Sequence, residues 1–152
     1  MQISGTYTFA ATPQAVWDLL MATRAIAGCI PGCKELRPLG DDKYAAELVV
    51  GVAAITGNYN ATVTLAEKTP PQSYRLLVDA NGRTGFVKAS ALIALAAEGA
   101  GTAITVTATA DVGGMIARVG QRMIEGVARM SMDGFFACLA KKLPATTGEK
   151  GV

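Results

Sequence analysis

The stretch that decides the fold is AITVTATADVGGMIARVGQRMIEGVARM, which runs from Ala103 to Met130 and changes its hydrophobic period halfway along. Up to Val112, apolar residues and threonines alternate with a period of two, which is typical of a β-strand with one buried face. From Met115 onward, apolar residues recur every three or four positions, with no proline before Pro144. This spacing predicts a long amphipathic helix that Pro144 ends.

The segments before this strand predict six further strands and two short helices. The two-residue period recurs along the chain, and turn signals such as Asn81-Gly82 separate one apolar segment from the next. Thr12 followed by Pro13 is the pattern of a helix N-cap and first helical residue. In chain order we expect a strand at 2–9, helices at 13–21 and 24–28, and strands at 34–39, 44–52, 55–66, 73–79, 86–97 and 103–112.

This order predicts an α+β fold in which a seven-stranded, curved antiparallel sheet is wrapped around the long C-terminal helix. We expect one domain, residues 1–143, followed by a disordered polar tail, residues 144–152. Several predicted inward positions carry small residues, and the helix contains glycines: Gly57, Ala61, Ala89, Ala91, Ala108, Ala110, Gly120, Gly126 and Gly134. They indicate either close packing of helix on sheet or room for a ligand, and the sequence leaves both interpretations open.

Composition and charge exclude several classes of protein. The net charge of +2 is small for a nucleic-acid-binding protein, and no cluster of Lys and Arg is interleaved with aromatic residues. No apolar run reaches the roughly 18 residues of a membrane span, and the N-terminus lacks the basic and hydrophobic segments of a signal peptide. We therefore expect a cytoplasmic protein whose three cysteines are free thiols.

The segment CIPGC, at 29–33, could be a metal site, a disulfide, a nucleophilic site or a structural corner. A zinc site needs four ligands, or three plus water, and the chain contains no histidine. A nucleophilic cysteine needs a base, usually histidine, and a disulfide is disfavoured in a reducing cytosol. We predict no metal site and a rigid corner at the rim of a pocket, formed by Cys29, Ile30, Pro31, Gly32 and Cys33.

The absence of histidine also weakens a catalytic interpretation, because general acid–base work would fall to a carboxylate or a lysine. The charged residues on predicted strands show no catalytic spacing, and we expect them to be solvated or to cap turns: Glu47, Asp79, Lys88 and Asp111. We predict no catalytic residue. A basic stripe on the long helix is either a solvated face or a docking surface for an acidic partner or anionic lipid head groups: Arg118, Arg122 and Arg129.

Three segments resemble the carbon monoxide dehydrogenase G-subunit family of the START-like, helix-grip (SRPBCC) superfamily. They are CIPGC at 29–33, GFVKASALIAL at 85–95 and GGMIARVGQRMIEGVARMSMDGFFACL at 113–139, with Ala89 standing where the family often has glycine. The resemblance implies a helix-grip fold and a non-catalytic accessory protein that binds an apolar ligand, a quinone or a lipid, without a tightly bound cofactor. It also implies a molybdenum-containing CO dehydrogenase or related hydroxylase as partner, and peripheral contact with the inner face of the cell membrane.

On this hypothesis, side chains from the sheet and the long helix line the pocket: Tyr59, Phe86, Val119, Met123, Val127 and Met130. Methionines suit an irregular apolar ligand but are also ordinary core residues. A quinone would in addition need one or two polar groups for its carbonyls, and the candidate hydroxyls are those of Tyr7, Tyr44 and Tyr59. The alternatives are a general binding protein for lipids or other hydrophobic ligands, and a polyketide cyclase-like enzyme on the same scaffold.

Overall fold

In the part of the chain that the structure describes, seven strands in one sheet are followed by a long helix, and two short helices lie after the first strand. This computed structural model describes residues 1–51 and 56–143. The elements in chain order are β1 (Gln2–Phe9), α1 (Pro13–Leu20), α2 (Thr23–Cys29), β2 (Cys33–Gly40), β3 (Lys43–Val50), β4 (Gly57–Thr69), β5 (Ser73–Gly82), β6 (Gly85–Glu98), β7 (Gly101–Gly114), a 3-10 helix (Met115–Val119) and α3 (Gln121–Lys141). The predicted strand ends at Val52 and Ile55, and the predicted tail 144–152, lie outside the described residues.

The strands lie in the order β1-β7-β6-β5-β4-β3-β2, and every neighbouring pair is antiparallel. From β2 to β7 each strand lies beside the next one in sequence, and α1 and α2 connect the two edge strands, β1 and β2. The predicted α+β fold with a curved antiparallel sheet is confirmed. The predicted N-cap is confirmed as well, since the Thr12 side chain accepts a hydrogen bond from the Ala15 amide at 3.2 Å.

The prediction of one continuous helix from Met115 is wrong at its beginning. Met115–Val119 form a 3-10 helix, and α3 begins only at Gln121. Gly120 between them has a φ of 96°, a left-handed conformation that an α-helix does not allow. Helix α3 ends at Lys141, while the predicted stop at Pro144 lies outside the described residues.

The turn predicted at Asn81-Gly82 lies two residues further along the chain. Strand β5 continues through Gly82, which pairs with Gly85 across a two-residue turn. The ring of Tyr59 lies against Gly82, and an added Cβ there would come within 2.7 Å of Tyr59 Cδ2. Glycine is needed at this position for close packing rather than for the turn.

The buried apolar side chains form two clusters on the face of the sheet that carries Tyr59 and Ala61, which we call the inner face. The larger cluster joins α1, α2 and the C-terminal half of α3 to the sheet, and in it Trp17 packs edge-on against Tyr74 with ring centroids 5.5 Å apart. The smaller cluster has three alanines at its centre and three half-buried neighbours: Ala46, Ala61, Ala80, Leu36, Leu48 and Val87.

The prediction of three free thiols is wrong. Cys29 in α2 and Cys138 in α3 form a disulfide, and of the three cysteines, all of them in the described part of the chain, Cys33 is the free one. The pairing arises because α2 packs beside α3, which brings the two Cα atoms to 5.5 Å although 109 positions separate them in sequence. This Cα separation is in the usual range for a disulfide.

Candidate functional site

The two aromatic residues of the predicted pocket lie on opposite faces of the sheet. Tyr59 is on the inner face and is 6% exposed. Its row continues through Gly82 to Gly85, and Phe86 is the next residue of β6, so Phe86 points to the other face. The Phe86 ring is 38% exposed and covers Gly113, where an added Cβ would lie 2.2 Å from a ring carbon. The prediction that Phe86 lines an interior pocket with Tyr59 is therefore wrong.

Helix α3 turns a different stripe inward from the predicted one. Met123 and Met130 are 42% and 60% exposed, which contradicts their predicted place in the lining. Val127 is half-buried, and so are Ile124 and Ala128, which the sequence pattern did not indicate. Because Gly120 interrupts the helix, the orientation of α3 about its own axis does not follow from that of the 3-10 helix. A set of inward residues that is predicted for one continuous helix is therefore misplaced in α3.

Between the two clusters, a row of half-buried apolar residues crosses the inner face. Val63, Val78 and Ala89 are cross-strand partners in β4, β5 and β6, and they belong to neither cluster. The N-terminal half of α3 has residues of the same kind. We call these six residues the inner band: Val63, Val78, Ala89, Ile124, Val127 and Ala128. Among the described residues, the inner band is therefore apolar surface that lies outside both core clusters and keeps part of its area accessible.

A pair of hydroxyl groups lies at one end of the inner face. The oxygens of Tyr59 and Thr84 are hydrogen-bonded, 2.5 Å apart. The Thr84 carbonyl accepts a hydrogen bond from the Ile116 amide at 3.0 Å, and the buried Ile116 side chain packs against Gly85. Strand β4, the β5–β6 turn and the 3-10 helix, in which the predicted lining residue Val119 is half-buried, therefore meet at this end.

The three candidate hydroxyls have different surroundings. Tyr7 donates a hydrogen bond to Asp133 at 2.6 Å and stacks on Phe136 with ring centroids 4.3 Å apart, so it fastens β1 to α3. Burial raises the pKa of Tyr7 to about 12, with a smaller contribution from Asp133. Tyr44 is half-buried on the inner face of β3. Of the three, Tyr59 is the buried one, at 6% exposure, and it lies next to the inner band on the same face of the sheet.

The corner at 29–33 leads into β2 through a tight contact with β3. Gly32 has a φ of 74°, and its carbonyl accepts a hydrogen bond from the Val49 amide at 2.8 Å. An added Cβ at Gly32 would lie 2.1 Å from the Val49 oxygen, so glycine is required here. Ile30 is half-buried and Pro31 is exposed. Because Leu48 pairs with Tyr59, the corner and the hydroxyl pair share one end of the sheet.

The cysteines of the corner have different chemistry. Cys29 is held in the disulfide, whereas Cys33 is half-buried and its thiol donates to the Glu35 carbonyl at 3.3 Å. Burial raises the pKa of the Cys33 thiol. At neutral pH the thiol form is therefore favoured, which makes Cys33 a weak nucleophile.

The opposite, outer face of the sheet carries the charged strand residues. Glu47, Asp79, Lys88 and Asp111 are all exposed, so the predicted solvation of Glu47 and Lys88 is confirmed. Two shallow grooves with volumes of about 410 and 350 Å³ meet at Lys88. Neither groove contains a residue of the predicted lining.

The basic stripe of the C-terminal segment is divided by the fold. Arg129 donates a hydrogen bond to the Ser4 carbonyl at 2.7 Å and so ties α3 to β1. Arg118 and Arg122 are exposed, and the methionines of the same segment, Met115 and Met123, are exposed as well. The stretch 115–123 therefore combines positive charge with accessible apolar side chains.

The described part of the chain has neither a cluster of metal ligands nor a helix that could span a membrane. Within residues 1–51 and 56–143, no group of three or more His, Cys, Asp or Glu side chains is placed to hold a metal ion. Over the same ranges, each helix is too short or too polar to cross a membrane.

Solved structures share this architecture. A conserved protein from Geobacillus kaustophilus is 38% identical to this chain, with a TM-score of 0.91, and the match covers 94% of this chain and 95% of that one. A START superfamily protein from Mycobacterium smegmatis has a TM-score of 0.72 at 11% identity and covers 93% and 96%. The di-domain ARO/CYC StfQ from the steffimycin biosynthetic pathway has a TM-score of 0.72 at 7% identity, over 97% of this chain and 52% of StfQ.

The last two similarities, at such low identity, concern the fold alone, which is START-like. No curated protein matches the chain. The family of the carbon monoxide dehydrogenase G-subunit (CoxG) matches residues 5–144 of the 152, which include the corner, the hydroxyl pair and the whole of the inner band. The chain therefore belongs to the carbon monoxide dehydrogenase G-subunit (CoxG) family.

Proposed function

We propose that this protein is a non-catalytic accessory protein that binds an apolar ligand between the inner face of the sheet and α3. The observation that carries the proposal is the inner band, because its apolar side chains are half-buried and belong to neither core cluster. Apolar surface left incompletely packed inside a domain is the surface that an apolar ligand can cover with a gain of free energy. Membership of the CoxG family supports an accessory role.

The ligand we propose is a quinone or another lipid, and the partner is a molybdenum-containing CO dehydrogenase or a related hydroxylase. The family description names carbon monoxide dehydrogenase, which supports this class of partner. The exposed side chains of the segment 115–123, which include Arg118, Arg122 and two methionines, are the surface we propose for peripheral contact with anionic lipid head groups.

The position of the charged residues favours binding over catalysis. Glu47, Asp79, Lys88 and Asp111 are exposed, on the face of the sheet opposite the inner band. A general acid or base must lie within hydrogen-bond reach of the reacting group. The cyclase-like alternative therefore has less support than the binding function.

The direct test is solvent extraction of the protein purified from its native host, followed by mass spectrometry of the extract. We expect an apolar molecule in stoichiometric amount, and its identity distinguishes a quinone from another lipid. A folded protein that is free of any such molecule, and that binds neither added quinone nor added lipid, would refute the proposal.

Two tryptophan variants of α3 provide a matched test of where the ligand binds. Val127→Trp fills the inner band, whereas Met130→Trp places the same side chain at a position that is 60% exposed. We expect Val127→Trp to weaken binding of an isoprenoid quinone at least tenfold and Met130→Trp to leave it unchanged. Circular dichroism checks that both variants keep the fold, and equal affinity of the two would place the ligand elsewhere.

A further inference from the structure

We propose that the free edge of β1, the side of the strand that faces away from β7, is a pairing surface for a second copy of this chain, and that Arg129 of α3 blocks this surface. The inference concerns association of the protein and is independent of the ligand-binding function. It starts from the two edge strands of the sheet, β1 and β2, which differ in how they are protected against pairing with another strand.

Strand β2 has several features that prevent such pairing. Its ladder with β3 is irregular, with a register shift near each end. Pro38 has no N–H to donate to a neighbouring strand, and three exposed side chains of β2 are charged, those of Lys34, Glu35 and Arg37. Because charges, prolines and irregular ladders are the usual protection of edge strands, β2 is protected by its own sequence.

Strand β1 has none of these features in its own sequence. All 8 residues of Gln2–Phe9 pair with β7 in one unbroken register. The same segment contains neither a charged residue nor a proline. A long, regular and uncharged edge strand is the kind that pairs with a strand of another chain, so β1 needs protection from elsewhere in the fold.

The hydrogen bonds to β7 show which groups of β1 face the free edge. Met1 and Ala110 exchange two main-chain hydrogen bonds, at 2.9 and 3.1 Å. Bonded and non-bonded pairs alternate along an antiparallel ladder. In the unbroken register the odd-numbered residues of β1 therefore bond to β7. The even-numbered residues direct their N–H and C=O groups away from the sheet: Gln2, Ser4, Thr6 and Thr8.

Arg129 occupies this free edge. Its guanidinium donates a hydrogen bond to the outward carbonyl of Ser4 at 2.7 Å. Among the residues that the structure describes, Ser4 is the one even-numbered residue of β1 whose outward main-chain groups have a protein partner. Helix α3 is held beside β1, since Asp133, one turn after Arg129, accepts a hydrogen bond from Tyr7 at 2.6 Å. An arriving strand would therefore have to displace a charged side chain.

A second copy of β1 matches this edge. In a two-fold antiparallel pair centred on Gly5, Ser4 of each copy lies opposite Thr6 of the other. The outward N–H and C=O groups then bond to each other, the facing side chains carry no like charges, and Gly5 has no side chain to collide at the centre. The same pairing brings two Arg129 guanidinium groups to one junction, where their repulsion opposes it. Because β2 is protected, the pairing ends at a dimer.

Sedimentation velocity over a range of protein concentrations tests the proposal. We expect Arg129→Ala to form a dimer at least tenfold more tightly than the wild type, because hydrogen bonds from a charged group no longer compete with the pairing. Adding Thr6→Pro should abolish this dimer, since it removes an outward N–H and leaves the bonds to β7 in place. Arg83→Ala removes the same side chain at an exposed position between β5 and β6 and should associate as the wild type does.

Hydrogen exchange of Arg129→Ala provides a second readout that does not depend on the folding of the proline variant. Exchange of the Ser4, Thr6 and Thr8 amides should slow as the protein concentration rises. Circular dichroism checks that the variants keep the fold. If Arg129→Ala associates no more tightly than the wild type, the proposal is overturned. A dimer that persists with Thr6→Pro, or that leaves these amides unprotected, lies at another surface and overturns it as well.

Discussion

At the residue scale, the position of a polar group on the inner face depends on a glycine in the neighbouring strand. Gly82 lets the Tyr59 ring lie across β5, which brings the phenol oxygen to Thr84. The sequence marks Gly82 as a turn residue, because Asn-Gly pairs favour turns. Packing of a ring from a neighbouring strand leaves no local signal, so this role of glycine could not be predicted from the sequence.

Gly82→Ala should lower the free energy of unfolding by about 1–3 kcal/mol, as overpacking does. The added Cβ would meet both the Tyr59 ring and the Asn58 carbonyl oxygen at 2.7 Å, and the backbone atom cannot move cheaply. Urea denaturation measures the change. Gly126→Ala is the control, since nothing lies within 4 Å of its Cβ position in α3, and it should stabilise by about 0.5–1 kcal/mol. Wild-type stability of Gly82→Ala would contradict the position of the Tyr59 ring.

Tyr7 makes the free energy of unfolding depend on pH in the alkaline range. Burial and Asp133 raise its pKa in the folded state to about 12, above the usual tyrosine value of 10.0. The folded state therefore holds this proton more tightly than the unfolded state. The resulting stabilisation is complete below pH 10 and is lost as the pH rises toward 12. Burial also raises the pKa of Tyr74, so two tyrosines contribute in the same direction.

We expect the free energy of unfolding, measured by urea denaturation, to fall between pH 10 and pH 12, and to fall less steeply in Tyr7→Phe. The variant should also lose about 1 kcal/mol at neutral pH, because Asp133 loses its hydrogen bond. Equal pH slopes in the wild type and Tyr7→Phe would show that Tyr7 is not the titrating group.

At the scale of elements, α3 is fastened to the rest of the molecule at several points along its length. Arg129 and Asp133 connect it to β1, and Cys138 connects it to α2. The sequence predicts the existence of α3 from its period but not these attachments, because they depend on which residues the fold brings together. The sequence also misplaces the inward-facing residues of α3, because Gly120, with its positive φ, ends the preceding helical segment and lets α3 take its own orientation about its axis.

Replacement of the disulfide by Cys29→Ser with Cys138→Ser should lower the free energy of unfolding by about 2–4 kcal/mol. The cross-link closes a long loop of the unfolded chain, since 109 positions separate the two cysteines. Urea denaturation with and without dithiothreitol measures the effect, and the reductant should destabilise the wild type but not the double variant. Cys33→Ser should leave this response intact. Three reactive thiols in the denatured, unreduced wild type, instead of one, would contradict the pairing.

At the scale of the whole molecule, most of the fold is predictable and the site is predictable only in part. Alternating strands and turn signals specify an antiparallel sheet of consecutive strands, because short connections leave few other arrangements. Of the predicted lining residues, Tyr59 is buried and Val127 is half-buried, whereas Phe86, Met123 and Met130 are exposed. The sequence pattern assigns Phe86 to the wrong face of the sheet just after a turn, and it assigns the wrong face of α3 to the interior just after the break at Gly120. The errors therefore lie where one element joins the next.

The choice between close packing and room for a ligand, which the sequence leaves open, can be decided by overfilling the inner band. Ala89→Leu adds volume at a half-buried position that belongs to neither core cluster. If space is present, the free energy of unfolding without ligand should stay the same or rise by up to about 1–2 kcal/mol, as cavity-filling changes do. Affinity for an isoprenoid quinone should fall, because the added side chain takes the ligand's place.

Ala61→Leu is the matched control, because the same substitution there enters the packed centre of the smaller cluster. It should lower the free energy of unfolding by about 1–3 kcal/mol through overpacking. Urea denaturation of both variants and calorimetric titration of the quinone provide the comparison. If Ala89→Leu destabilises as strongly as Ala61→Leu, the small residues of the inner face serve helix-on-sheet packing, and the ligand must be sought at another surface.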